Sequence, residues 1–169
     1  MVGGKGNDIY FVDNAGDAIV ENLNEGNDIV HASISYTIGA NIESLILDGS
    51  ANLAGAGNST NNALVGNSGD NNLDGRGGQD YLIGNGGNDT FEFKSGEAAG
   101  DLVADFAGNG AVAGDSFLFI GFGTAAQGAT FTEIGVTNQW QIHSGLDAHN
   151  EVITLQNGAS VHVSDYLFV

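Results

Sequence analysis

Apolar residues in the middle of this chain fall on a nine-residue beat. Four consecutive blocks, GNSTNNALV, GNSGDNNLD, GRGGQDYLI and GNGGNDTFE, begin at Gly57, Gly66, Gly75 and Gly84. Each carries an amide or carboxylate at its sixth place (Asn62, Asn71, Asp80, Asp89) and a large apolar residue at its eighth (Leu64, Leu73, Leu82, Phe91). A fixed period of this kind marks a stack of like units rather than an ordinary core. Six turn residues followed by three strand residues fit each block. Side chains alternate faces along a strand, so the eighth residue points one way and its flanks the other. Two blocks close one coil, with a strand on each side and the Leu and Phe rows meeting inside. Residues 18 apart then lie one above another, so Asn62 stacks on Asp80 and Asn71 on Asp89.

The pattern loosens on both sides of these blocks. Gly3–Tyr10 reads GGKGNDIY, and a second copy, NEGNDIV over Asn24–Val30, follows after 20 residues. That spacing is one coil of two nonads with two extra residues, which we place in the Asp13–Asp17 turn; Asp8 then faces Asp28. Ile34, Tyr36 and Ile38 alternate as strand residues do, and Leu45, Leu47 and Leu53 read as inward-facing in metal-free coils. From residue 94 onward the beat stops. Alternating runs (Phe117, Phe119; Trp140, Ile142; Val152, Ile153, Leu155; Val161, Val163) predict short strands, and a single helical turn fits Gly96–Ala99. The expected fold is all-β, with a parallel β-solenoid over residues 1–93 (looser repeats 3–56, regular nonads 57–92) and a β-rich cap over 94–169. A full repeat directly after Met1 looks like a rod beginning in mid-stride, so a C-terminal piece of a longer protein is expected.

Charge changes the picture most. Asp and Glu number 21 against 3 Lys and Arg, a formal net charge of -18. Such a surface repels nucleic acid and anionic lipid, and it opposes the chain's own compaction unless something cationic neutralises it. Apolar content of 41% is nevertheless enough to bury a core. The chain has no Cys, which removes disulfides, thiolate zinc sites and thiol catalysis. It has no Pro but 28 Gly, so its turns rely on residues tolerant of positive backbone angles. No apolar run approaches the roughly 20 residues of a membrane span, and MVGGKGND lacks the apolar stretch of a signal peptide.

Stacked acidic turns raise an electrostatic problem. Two carboxylates about 5 Å apart repel by roughly 3 kcal/mol at an effective dielectric near 20. A dication between turns reverses the sign. Calcium suits the task, because it takes six to eight oxygens in flexible geometry, whereas magnesium wants shorter contacts and zinc prefers sulfur and nitrogen. The sixth-place Asp would supply charge, and carbonyls of the second and fourth places the remaining ligands. The competing reading is a solenoid whose Asn side chains ladder in the turns without metal. It weighs most on the blocks of Asn62 and Asn71.

Gly3–Tyr10, Asn24–Val30 and the blocks from Gly57 to Glu92 resemble the RTX, or haemolysin-type, calcium-binding repeat, G-G-x-G-x-D-x-U-x. The resemblance implies a right-handed parallel β-roll holding several calcium ions between like-sided turns. It carries ligand roles onto Gly4, Gly6 and Asp8; Asn24, Gly26 and Asp28; Arg76, Gly78 and Asp80; and Asn85, Gly87 and Asp89. Asn67, Gly69 and Asn71 follow more weakly, as do Asn58, Thr60 and Asn62, since two blocks replace the Asp and several lack the double glycine. Asp101 and Asp105, in GDLVADF, resemble the D-x-I-x-D-F segment after the last repeat, implying that both acids complete a terminal site facing the turn of Asp89. Asp165, Tyr166, Leu167, Phe168 and Val169 resemble the acid-then-apolar end of an uncleaved type I secretion signal.

The function this implies is a non-catalytic calcium-binding domain of a larger, secreted bacterial protein. It would fold on calcium loading outside the cell, with the type I secretion machinery as partner. The alternative is a calcium-dependent module binding polysaccharide or a cell surface through Asn138, Trp140, Gln141 and tyrosines. Other signals carry less. Gly114-Asp115-Ser116 has no base at suitable spacing to make Ser116 a nucleophile. His143 and His149 lack a third metal partner and read as loop residues, and Trp140 reads as packing. The sequon at Asn58-Ser59-Thr60 lies inside the repeats.

Overall fold

The computed structural model describes residues 1–110 and 113–169. Its strands are β1 (Ile9–Val12), β2 (Ile29–Ala32), β3 (Tyr36–Thr37), β4 (Ser44–Leu47), β5 (Ala54–Ala56), β6 (Ala63–Val65), β7 (Asn72–Asp74), β8 (Tyr81–Ile83), β9 (Thr90–Lys94), β10 (Leu102–Val103), β11 (Ser116–Ile120), β12 (Thr130–Glu133), β13 (Gln139–His143), β14 (Asn150–Leu155) and β15 (Tyr166–Phe168). They form two sheets, ordered β1-β2-β4-β6-β8-β10-β14-β13-β12 and β15-β11-β9-β7-β5-β3. From β2 to β11 the chain crosses from one sheet to the other at every strand, as a two-sided coil requires. Pairing is parallel except for β12–β13–β14, which is antiparallel. The fold is an all-β, mostly parallel β-solenoid.

Inward rows run straight up the stack. In the first sheet Tyr10, Val30, Leu45, Leu64, Leu82, Val103 and Leu155 are in register and buried. Facing them stand Gly55, Leu73, Phe91 and Phe117. Gly55 is small because Leu45, Leu47 and Leu73 fill its place: a Cβ there would lie 3.2–3.4 Å from all three. The parallel ladder continues past the nonads, since β10 pairs β8 and β14 while β11 pairs β9 and β15. The core there turns aromatic, with Phe106 stacked on Phe117 at 4.2 Å, Phe119 near Phe131 at 4.8 Å and Phe131 near Trp140 at 4.9 Å.

Three local expectations need correction. Helical geometry falls at Ala125–Gln127, a single 3₁₀ turn, whereas residues 95–97 make hydrogen-bonded turns. Thr124 favours the former, since its N–H and hydroxyl both donate to Gln127 Oε1. The two extra residues of the first coil do not lie in the Asp13–Asp17 turn. Val2 bridges Val20, a spacing of 18, while Asp8 and Asp28 are 20 apart, so the surplus sits between Val20 and Ile29. Val161 and Val163 precede β15 outside any strand, with Val163 exposed. Asp165 is buried and its Oδ2 accepts the His162 N–H at 2.9 Å, while Tyr166–Phe168 form the last strand against β11.

Candidate metal centre

The acidic nonads place the sixth residue against the backbone of the sixth residue one coil earlier. Asp28 Oδ1 accepts the Asp8 N–H at 2.9 Å, Asp80 Oδ1 that of Asn62 at 2.7 Å, and Asp89 Oδ1 that of Asn71 at 2.8 Å. The first-place glycine is explained by the same packing. A Cβ on Gly3, Gly75 or Gly84 would overlap Oδ2 of Asp8, Asp80 or Asp89. Three turns also share left-handed residues at the second and fourth places: Gly4 and Gly6 (φ 89° and 116°), Arg76 and Gly78 (66° and 121°), and Asn85 and Gly87 (66° and 119°). Asn24 is left-handed at 63°, but Gly26 beside it is not, in keeping with the longer connection there.

One oxygen of each acid in these three turns is left over. Oδ2 of Asp8, Asp80 and Asp89 is shielded from solvent and has no hydrogen-bond partner. Among the described residues no Lys or Arg pairs with any of them; Arg76 and Lys94 pair with Asp74 and Glu92 instead. Burial drives the Asp80 and Asp89 carboxyls up to about 7, despite the backbone N–H each accepts. A buried anionic oxygen without a donor is costly, and such groups either keep a proton or coordinate a metal. The donor set is all oxygen and acidic, which suits calcium. At the N-terminal end, carboxylate oxygens of Asp8, Glu21 and Asp28 lie within 4.8 Å of one another.

The asparagine turns are built differently. Asn58 Nδ2 donates to Gly39 O and Ile42 O, both at 2.9 Å, and Asn62 Nδ2 to Ile42 O at 3.0 Å. Asn67 Nδ2 donates to Ala51 O at 3.0 Å and Asp48 O at 3.3 Å. Asn58 Oδ1 takes the Thr60 N–H, Asn67 Oδ1 takes the Gly69 N–H, and Asn71 Oδ1 takes the Asn67 N–H. Here an amide nitrogen satisfies the carbonyls of the neighbouring coil and no anionic oxygen is stranded.

After the nonads the ladder continues on acids the repeat pattern does not mark. Asp101 was expected opposite the turn of Asp89; it stacks on Asp80 instead, its Oδ1 accepting the Asp80 N–H at 2.9 Å. Asp105 does face the turn of Asp89, with its two oxygens on the N–H groups of Gly84 and Asn85 at 2.9 and 2.7 Å. The place above Asp89 belongs to Asp115, whose Oδ1 accepts the Asp89 N–H at 2.9 Å. Sequence reasoning missed Asp115, although it precedes Phe117 by the same two residues that separate Asp89 from Phe91. Glu21 and Glu97, each with a buried oxygen lacking a partner, carried no spacing signal at all.

No nucleophile emerges at the two places with suggestive residue types. Ser116 Oγ pairs with Thr90 Oγ1 at 3.2 Å across the parallel ladder. His149 lies between Asp147 at 2.5 Å and Glu151 at 2.8 Å, and Ser95 Oγ shares its Nε2 at 3.3 Å. Hydrogen bonds to the two carboxylates raise the His149 pKa, so the ring is an ion-pair partner rather than a base for Ser95.

Residues 56–91 match the family model of the RTX calcium-binding nonapeptide repeat, in four copies. These coils are an RTX calcium-binding β-roll. No curated protein matches the chain. Within the matched RTX segment the two halves differ: the blocks from Gly57 and Gly66 carry Asn62 and Asn71 at the sixth place, and those from Gly75 and Gly84 carry Asp80 and Asp89. The residues whose geometry could hold calcium are therefore Asp80 and Asp89 inside the match, and Asp8 with Asp28 in the coils before it.

Proposed function

We propose that this chain is a non-catalytic calcium-binding domain of a larger secreted bacterial protein, and that its RTX roll folds on calcium loading outside the cell. The observation that carries the reading is the set of stranded, buried Oδ2 atoms of Asp8, Asp80 and Asp89. Bound calcium supplies the positive charge and the coordination those oxygens lack. Without it, the net charge of -18 and the chain entropy of 28 Gly oppose coiling. Asp8, Asp28, Asp80 and Asp89 then hold the turns apart by repulsion, which suits passage through a narrow export channel. Sites of extracellular type work at about 10⁻⁴–10⁻³ M. Each filled site adds about 2.7 kcal/mol at 100 times its Kd, so linked sites give a steep transition.

Residues Asp165–Val169 fit a type I export signal in this scheme. They are free in the newly made, unfolded chain and paired with β11 once the C-terminal end has folded, so signal reading precedes folding. Far-UV circular dichroism in chelator should lose the β signal of the N-terminal coils and regain it at millimolar calcium; a spectrum indifferent to chelation refutes the reading. Binding of polysaccharide through Trp140 gains no support, since that side chain is 9% exposed and packs on Phe131.

A further inference from the structure

The connection from Val20 to Ile29 is two residues longer than its counterpart from Val2 to Ile9, and it brings in an acid that the repeat pattern does not encode. Glu21 is only 7% exposed. Its Oε1 accepts the hydroxyl of Tyr10, a residue of the inward row. Its Oε2 is buried without a partner, as is Oδ2 of Asp8. Asp28, 1% exposed, completes a triangle whose carboxylate oxygens are all within 4.8 Å. No Lys or Arg forms an ion pair with any of the three among the described residues.

We propose that Asp8, Glu21 and Asp28 form a three-carboxylate site for a hard, oxygen-seeking cation, in which Glu21 is a ligand and the Tyr10 hydroxyl orients it. The inference rests on the reading that the acidic turns bind calcium and adds a residue and a rank to it. Asp80 and Asp89 each stack between a neutral Asn and one further acid, Asp101 or Asp115, whereas among the described residues Asp8, Asp28 and Glu21 alone bring three carboxylates within 4.8 Å of one another. Affinity of calcium sites rises with the number of charged ligands. The N-terminal site is therefore the tightest and fills first, and a trivalent lanthanide binds it more tightly still.

Terbium tests this on the full chain, because the Tyr10 ring lies beside the ion and sensitises its emission. Wild type should show an early emission phase that calcium displaces. Glu21→Gln keeps the size of the side chain and an oxygen for Tyr10; it should weaken that phase about tenfold or more, while calcium calorimetry still records the later, weaker steps. Asp13→Asn, which removes an exposed charge from the adjoining turn, should leave the early phase within about twofold. Tyr10→Phe should abolish the emission yet retain the early calorimetric step, a combination that does not depend on how well Glu21→Gln folds. An early phase unchanged by Glu21→Gln, or wild-type emission unchanged by Tyr10→Phe, overturns the site. Absence of every calcium step in wild type instead overturns the calcium reading itself.

Discussion

Asp89→Asn should make the calcium-free protein more stable while removing one of its calcium responses. The carboxyl is shielded from direct solvent contact in a turn at the edge of the roll, keeps one hydrogen bond to the Asn71 N–H, and has a second oxygen with no partner. Burial raises its pKa from 3.8 to about 7. A shift of about three units is worth at most about 4 kcal/mol, and solvent at the rim of the turn halves that to about 2 kcal/mol. The folded state binds the proton more tightly than the unfolded chain does, so the stabilisation is complete below about pH 4 and lost as pH rises through about 7. Asparagine takes no part in that titration. Asn71 shows how the amide fits, its Oδ1 on the Asn67 N–H and its Nδ2 on Asn67 Oδ1. In chelator at about pH 8 the variant should therefore shift the folded-to-unfolded ratio by roughly 30-fold, read as β signal by circular dichroism. At about pH 4.5 the two proteins should nearly coincide. Added calcium should then stabilise the variant less than wild type. Loss of β signal in the variant at pH 8, or an equal gain at both pH values, refutes the argument.

Gly84→Ala should disrupt the turn of Asp89, since its Cβ overlaps Asp89 Oδ2, whereas Gly86→Ala has its nearest neighbour at 3.9 Å; calcium midpoints should rise for the first and barely move for the second. Asn58→Leu strands Gly39 O and Ile42 O at a cost of about 1–3 kcal/mol each, seen as a lower melting temperature with and without calcium, because the amide contacts of that turn need no ion.

The nonad region was readable because its spacing never changes: a step of 18 returns each side chain to the same height, and Leu64 over Leu82 follows at once. Register failed where step length varies. The interval from Asp8 to Asp28 fixes two extra residues but does not say which turn holds them, and only the Val2–Val20 bridge decides it. The same ambiguity misplaced Asp101. Its distance from Asp80 is 21, and that of Asp115 from Asp89 is 26, so neither follows the beat although both precede an inward residue by two. Strands in the C-terminal half show their alternation, but their partners are remote, as with Leu102 against Thr154. Alternation reports which face is buried and says nothing about what lies across the ladder. The stranded oxygens were invisible for a further reason: burial of one carboxylate oxygen depends on the coil above it.

The same structure divides the roll by what holds it together, and this yields the last prediction. Toward the N-terminus the coils are bound by Leu and Val rows hemmed in by unneutralised acids. Toward the C-terminus Phe91, Phe93, Phe106, Phe117, Phe119, Phe122 and Phe131 form one aromatic cluster that also covers Trp140. Apolar burial needs no counter-ion, so removing calcium should act unequally along the chain. In chelator Trp140 should remain shielded from a soluble quencher, while backbone amides of β1, β2 and β4 exchange with solvent. Phe117→Ala removes the ring that touches Phe91, Phe93, Phe106, Phe119 and Phe131, a loss of about 3–5 kcal/mol. That variant should expose Trp140 in chelator, and calcium should restore the N-terminal protection only in part. If chelation alone makes Trp140 as quenchable as in strong denaturant, the aromatic end has no stability of its own, and the acidic turns govern the whole roll.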